Sequence, residues 1–256
     1  MKKRRIVFWI LTIWLWAYSS AYALGFEAAL GMWQQTPGGD ISYKAESSSD
    51  TLNIEDDLDY DTENRLHLRA KIDLPLFLPN IYLMAAPAEF EADGEKSETF
   101  RFGDVEFDAD VPFSSKLTYN QYDVAFYYGL PFLKTATLGI LNVDVGLNLR
   151  FVDLEAQIDQ DDTDIDEKES ASLVVPQLYI GAQVEPLDWL AFELEGRVIS
   201  LSDNAMYSLI GRARFKVFGP VFAAVGYRQD QIDVDEEDVE IDFTLQGPFI
   251  EAGLKF

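Results

Sequence analysis

Leu141-Asn142-Val143-Asp144-Val145-Gly146-Leu147-Asn148-Leu149-Arg150-Phe151 puts an apolar residue at every odd position and a polar residue or glycine at every even one. Strand side chains point alternately to the two faces of a sheet, so this stretch is a ribbon with one greasy side and one polar side. A second clear copy runs from Arg65 to Leu74, where Leu66, Leu68, Ala70, Ile72 and Leu74 oppose Arg65, His67, Arg69, Lys71 and Asp73. Weaker copies cover Gly25 to Gln35, Ile81 to Phe90, Leu117 to Tyr128, Gln177 to Glu185, Trp189 to Ile199, Met206 to Val217, Val221 to Arg228, and a final segment ending at Phe256. That makes about ten strands. Pro87 interrupts one of them. The last changes phase, with Val239, Ile241, Phe243 and Leu245 at odd positions and Ile250, Ala252, Leu254 and Phe256 at even ones, which leads us to expect a bulge near Gly247-Pro248.

The chain has 256 residues, 48% of them apolar and 14% aromatic, enough to bury a large core or to coat a membrane-facing surface. With 20 Lys+Arg against 45 Asp+Glu the formal net charge is −25. So acid a surface repels phosphate backbones, and nucleic acid is not an expected partner. The absence of cysteine excludes disulfides, thiolate zinc sites and cysteine nucleophiles, and a single histidine, His67, excludes the usual multi-histidine metal sites. No cofactor is implied.

Lys2-Lys3-Arg4-Arg5, the apolar run Ile6 to Tyr18 and the small-residue end Ala21-Tyr22-Ala23 form the tripartite pattern of a secretory signal peptide. Thirteen apolar residues fall short of the roughly 20 that a helix needs to cross a hydrocarbon core. We therefore read residues 1–23 as a cleaved leader and residues 24–256 as the mature chain, with 16 basic side chains left against 45 acidic ones.

Connections between the ribbons fall into two sets. One is short and proline-rich: Pro75 to Pro79, a turn around Pro131, Pro186-Leu187-Asp188 and Gly219-Pro220. The other is acidic, through Pro37 to Glu63, Glu89 to Pro112, Asp153 to Ser170, Ser200 to Ala205 and Asp230 to Asp242, and it holds 36 of the 45 acids. The charge belongs to one rim of the molecule.

An open ten-stranded sheet with an apolar face must cover that face or close on itself, and no amphipathic helix is on hand to cover it. In lipid only helices and closed barrels satisfy every backbone hydrogen bond. The expected fold is therefore all-β: a single antiparallel up-and-down transmembrane β-barrel with short periplasmic turns and long acidic extracellular loops. A soluble cup with its apolar face inward is the rival. Asymmetric loops and an apolar C-terminus, Leu254 and Phe256, favour the membrane form.

Gly25-Phe26-Glu27-Ala28 with Gly31 and Trp33-Gln34-Gln35, Gln121-Tyr122-Asp123-Val124-Ala125-Phe126-Tyr127-Tyr128, Asp144-Val145-Gly146-Leu147 and Gly253-Leu254-Lys255-Phe256 resemble an uncharacterised family of small outer-membrane β-barrel proteins of Gram-negative bacteria. The resemblance covers the whole mature chain. It implies the cell outer membrane as the location, brings no established activity, and makes Leu254 and Phe256 the assembly signal read by the barrel-assembly machinery.

On this assignment Arg65, His67, Arg69, Lys71, Asp73, Asp123, Asp144, Arg150, Glu193, Glu195, Arg197, Arg212, Arg214 and Arg228 line the lumen, with Glu27 and Glu251 as further partners. Such a network either fills a narrow barrel as a plug or forms an ion-selective constriction. Phe26, Phe77, Phe132, Trp189 and Phe218 would form one aromatic girdle, and Tyr119, Tyr122 and Tyr207 the other. His67 is the only candidate general base. No serine or aspartate pair stands beside it at a spacing known from catalytic barrels, so no catalytic residue is assigned and no enzyme is expected.

Asp162, Asp164 and Asp166 alternate in a run that invites a calcium reading, although Glu167 stands where the turn glycine of an EF-hand belongs; Asp233 to Asp238 is a second such cluster. The expected partners are outer-membrane lipids, lipopolysaccharide and divalent cations bridging its phosphates to the acidic loops, with the barrel a monomer. The function these features suggest is a structural envelope component or a narrow gated passage for small solutes. The alternatives are an outer-membrane enzyme cleaving lipid or peptide, and a soluble periplasmic lipocalin-like carrier.

Overall fold

The computed structural model describes residues 24–75, 77–160, 165–202, 204–236 and 238–256; the leader read at 1–23 lies outside them. Its strands are β1 (Gly25–Tyr43), β2 (Leu52–Asn53), β3 (Glu63–Asp73), β4 (Asn80–Ala86), β5 (Glu89–Gly94), β6 (Phe100–Phe102), β7 (Val105–Phe107), β8 (Phe113–Gly129), β9 (Leu141–Gln160), β10 (Ile165–Leu187), β11 (Leu190–Leu201), β12 (Asn204–Phe218), β13 (Val221–Glu236) and β14 (Val239–Lys255). One short helix, α1 (Pro131–Ala136), lies in the β8–β9 turn. No described helix is long and apolar enough to cross a membrane.

Each stave pairs antiparallel with the next, and β14 closes on β1 through pairs such as Ala29 with Gly253. β4 and β5 form one stave interrupted at Pro87. Asn80 faces Tyr127 before the break and Glu89 faces Thr118 after it, so the register on β8 is conserved. Proline has no N–H to give the ladder, which ends the bonding locally without displacing the strand. The result is a closed barrel of ten staves, as the alternation requires.

The staves are longer than a bilayer needs. β9 has 20 residues and β10 has 23, against the 9–11 or so of a tilted spanning strand. Polarity explains the excess. Outward residues of β9 read Leu141, Val143, Val145, Leu147, Leu149 and Phe151, then Asp153, Glu155, Gln157 and Asp159. Inward residues read Asn142, Asp144, Asn148 and Arg150, then Val152, Leu154, Ala156 and Ile158. Eleven residues of apolar exterior, tilted by about 40°, give a belt roughly 26 Å tall, the height of an outer-membrane hydrocarbon core. Above it the wall turns itself inside out.

The same inversion corrects the expected bulge at Gly247-Pro248. β13 and β14 keep one unbroken register from Val221 with Leu254 to Glu236 with Val239. Odd residues of β14 face inward throughout, as Phe243 and Leu245 in the upper part and as Phe249 and Glu251 below. The apolar set changes face because the solvent outside changes from water to lipid.

It also corrects two of the expected loops. Much of Asp153 to Ser170 and of Asp230 to Asp242 is strand, with β9 running to Gln160 and β13 to Glu236. Acids that read as loop from their charge stand on the water-facing exterior of a wall whose interior side is Val152, Ile158, Ile232 and Val234.

The genuine loops at this rim fold inward. From residues 44–62 come Leu52, Ile54, Leu58 and Tyr60, and from the segment between β5 and β8 come Phe100, Phe102 and Phe107. They pack into the mouth against Trp33, Phe90, Phe113, Leu117, Tyr119, Phe243 and Leu245. Phe100 stacks on Phe107 at 5.0 Å between ring centroids. Lys96 ties the two loops, its Nζ 2.6 Å from the Thr51 carbonyl and 2.8 Å from Asp57 Oδ2. Asp50 does likewise by accepting from the backbone N–H groups of Glu46, Ser47 and Arg101, each at 2.8 Å. Burial works against its charge, but these donors outweigh burial and hold the carboxyl below its ordinary value.

Candidate functional site

Below this apolar mouth the inward positions carry charge. Arg69 lies between two carboxylates, with Nη1 2.5 Å from Glu27 Oε1 and Nε 2.9 Å from Glu251 Oε2. Glu251 also takes His67, whose Nε2 is 3.0 Å from Oε1 and whose ring meets Phe249 edge-on. Arg212 Nη1 bridges Glu193 and Glu195 at 3.3 and 3.2 Å. Arg214 pairs with Glu193 at 2.8 Å and Glu185 at 3.0 Å, and Lys71 Nζ reaches Glu195 at 2.9 Å. A second group is built on Asp123, held in bidentate fashion by Arg150 at 2.9 and 3.1 Å and bonded by Asn148 Nδ2 at 2.6 Å. Arg228 contacts Asp230 at 2.7 Å and donates to Gln121 Oε1 at 2.7 Å, with its guanidinium 4.5 Å from the Trp33 ring centre. Arg197 sits between the rings of Tyr82 and Tyr179 at 5.1 and 5.4 Å.

A charge removed from water without a partner costs several kcal/mol, and the register of the staves supplies the partners. Glu27 stands beside Lys71 of β3 on one side and Lys255 of β14 on the other; Glu193 stands directly opposite Arg212. Inward alternation on adjacent strands thus becomes a ring of opposite charges. Its chemistry is that of a filler: both signs are present and interlocked.

The sequence-assigned lumen residues all lie on the inward face, and most join the network. Three stand apart. Arg65 is half-exposed at the top of β3, where its guanidinium donates to the Glu89 carbonyl and bridges a seam that β3 and β5 do not ladder. Asp73 and Asp144 lie at the turn end; Tyr127 Oη donates to Asp73 at 3.4 Å and Asn142 Nδ2 to Asp144 at 2.8 Å.

Asp230 is the main residue that sequence reasoning misplaced. It reads as part of an acidic loop, yet it is 1% exposed in the network. Its position two residues after Arg228, on the same face of a strand, was the available signal. Asn148 was placed on the polar face of its ribbon but not counted in the network, and Gln121, Gln177 and the Tyr82–Tyr179 pair were missed, since charge was the signal that picked out lumen residues.

Among the aromatics, Phe26, Phe77, Phe132, Trp189 and Phe218 are exposed at the turn end as a girdle requires, and so are Tyr122 and Tyr207 higher up. Tyr119 is a correction. It is fully buried and points into the mouth, while Phe151 and Tyr227 complete the upper girdle on the outside. Tyr227 there donates to Gln246 Oε1 at 3.2 Å, its ring in the belt and its hydroxyl on the water side.

Asp162 and Asp164 lie outside the described residues, and Asp166 is exposed opposite Asp159 on the β9–β10 ladder. Among the described residues no three acidic or histidine side chains converge as a metal ion demands. Leu254 and Phe256 are exposed at the end of β14, beside β1.

No family model matches the chain, and no curated protein does. Among solved structures, the outer membrane protease OmpT from Escherichia coli superposes with a TM-score of 0.54 at 8% identity, over 91% of this chain and 97% of that one. The fold is that of an outer-membrane β-barrel. Similar too are the translocator domain of autotransporter NalP from Neisseria meningitidis, with a TM-score of 0.43, 9% identity and coverage of 91% and 88%, and Ail, the attachment invasion locus protein of Yersinia pestis, with 0.37, 9%, 91% and 99%. At such identities the likeness is one of fold. The protease activity named for OmpT belongs to that protein; here His67 is buried beneath the mouth, bonded to Glu251.

Proposed function

We propose that the chain is a closed barrel of the outer membrane, a structural component of the envelope whose lumen does not conduct in its resting state. The observation that carries this reading is the double seal. Phe90, Phe100, Phe107 and Leu52, each at most 1% exposed, fill the mouth, and the interlocked ion pairs of Arg69, Arg150 and Arg212 fill the lumen beneath it. A pathway for ions needs continuous water, and an apolar layer stacked on a layer of paired charges opposes it.

Planar-bilayer recording tests this. The parent protein should give a silent membrane, and removal of residues 98–109, which carry β6 and β7, should produce ion steps. Steady conductance by the parent would remove the proposal in favour of a narrow passage.

Residence in the outer membrane, export by cleavage after Ala23 and monomeric assembly through the Leu254 and Phe256 terminus belong to the same reading. The mature protein should begin at Leu24, change mobility between boiled and unboiled samples, and fractionate with outer membranes. Acids on the outward upper wall, such as Asp153, Glu155, Asp233 and Asp242, stand at the level of lipopolysaccharide phosphates and would attract bridging divalent cations. We read the barrel as non-catalytic, so His67→Ala should leave envelope lipids and peptides unchanged.

A further inference from the structure

The turn end of the lumen, below the ion-pair network, opens into a cavity of about 700 Å³, the size of a small-molecule site. Its walls include Glu27, Asp73, Tyr127, Asp144, Glu185 and Glu193, with Pro131 and Thr135 of α1 on one side. Among the described residues two cations also line it, and both are already engaged: Lys71 with Glu195 at 2.9 Å and Lys255 with Glu27 at 3.5 Å. Glu185 and Glu193 are held by Arg214. Asp73 and Asp144 are different, for among the described residues neither makes an ion pair. Two carboxylates without an ion-pair partner among the described residues therefore face one cavity, with the Tyr127 hydroxyl bonded to the first of them and the Asn142 amide to the second.

The wall behind Asp144 is cut back to backbone. Gly129 and Gly181 flank Asp144 on the neighbouring strands; a Cβ at Gly129 would lie 3.2 Å from Asp144 Oδ1, and one at Gly181 would lie 3.4 Å from Asp144 Cβ and 3.0 Å from the Tyr179 hydroxyl. That hydroxyl is fully buried, has no hydrogen-bond partner, and is directed at the Gly181 side of Asp144. An orphaned buried hydroxyl aimed at a glycine-floored recess beside Asp144, a carboxylate with an amide donor but no ion-pair partner among the described residues, marks a place for a group that hydrogen-bonds. Phe26, Tyr127 and Phe256 add aromatic surface to the lining.

We propose that this cavity binds a small organic cation carrying primary ammonium groups, with Asp73 and Asp144 as its counter-charges. Ammonium groups supply N–H donors to separated carboxylates, and their methylene chain suits the aromatic lining. A divalent metal needs several oxygens converging on one point, which the described residues do not offer. An anion would meet two carboxylates that no described cation pairs.

Calorimetric titration of the folded full chain in detergent with putrescine, a four-carbon diamine, tests the assignment. The parent should bind saturably. Asp73→Asn combined with Asp144→Asn should weaken binding at least tenfold, and Thr135→Trp, which fills the cavity from α1 and leaves the lumen network intact, should do the same. Asp233→Asn with Asp235→Asn, at the opposite rim, should change it less than twofold. Boiled against unboiled mobility confirms that each variant is folded. The proposal is overturned if the parent shows no saturable binding, if the rim pair weakens binding as much as the cavity pair, or if Mg²⁺ shows the Asp73 and Asp144 dependence and putrescine does not. Conductance is a separate readout, so the resting seal and this site can fail independently.

Discussion

The lower and upper halves of the barrel use the same alternating backbone and opposite chemistry. Below Trp33 the inside is ionic and the outside oily; above it the inside is a cluster of Phe, Leu and Tyr and the outside is acidic. In lipid the exterior already satisfies apolar side chains, so the wall has no hydrophobic reason to pack its inside and instead fills it with paired charges. In water the exterior takes the acids, and burial of apolar surface becomes the force that closes the mouth. One closed sheet thus contains a membrane protein and a soluble protein end to end.

Each half should break by its own mechanism. Arg69→Ala strands Glu27 and Glu251, both buried, and should cost about 3–5 kcal/mol of global stability in urea unfolding from liposomes. Phe100→Ala removes the ring stacked on Phe107 and should cost a comparable 3–5 kcal/mol or so, spent locally. Its signature should be protease cleavage within residues 95–112 and the onset of ion leakage, with the lower wall still resistant to urea. If both variants lowered the same global midpoint and neither leaked, the two halves would be one cooperative core.

The outer surfaces offer a smaller and sharper contrast. Leu68, outward in the belt, changed to arginine should destabilise by about 2–4 kcal/mol. Thr118→Arg, outward on β8 between Glu89 and Glu155, should stay within about 0.5 kcal/mol. Equal costs would erase the boundary drawn between them.

Smallest is the effect of acid on the rim loops. The folded-state pKa of Asp50 lies below its unfolded value, so its contribution is fully present above about pH 4 and is lost as the pH falls through the folded value. Cleavage of residues 44–62 by an acid-active protease should rise severalfold across that range in the parent. In Asp50→Asn it should already be raised at neutral pH and flat below it.

How legible this was depends on where the solvent changes. His67 and Arg69 lie inward on β3, whose outward residues Leu66, Leu68, Ala70 and Ile72 stay apolar along the charged stretch, so alternation alone locates them. Asp230 and Tyr119 were misplaced because their strands cross the boundary, where an acid can be lumen wall and an aromatic can be mouth core. The phase change in β14 has the same origin. A local pattern shows that two faces differ; it is unchanged if water and lipid are exchanged between them. Phe100, Phe102 and Phe107 carried no signal at all, since a short loop strand looks the same whether it projects outward or folds into a barrel.

From the residue order alone follow ten alternating ribbons, the pairing of short turns with an acidic rim, and a closed sheet with charge on one face, because these rest on the two-residue repeat of the backbone and on the cost of a free edge. Only the tertiary structure decided where along each stave the faces exchange roles, which acids are buried, and that two distant loops meet to seal the mouth. Those outcomes depend on which side chains and which solvent closure brings together, and neither is a property of any local stretch of chain.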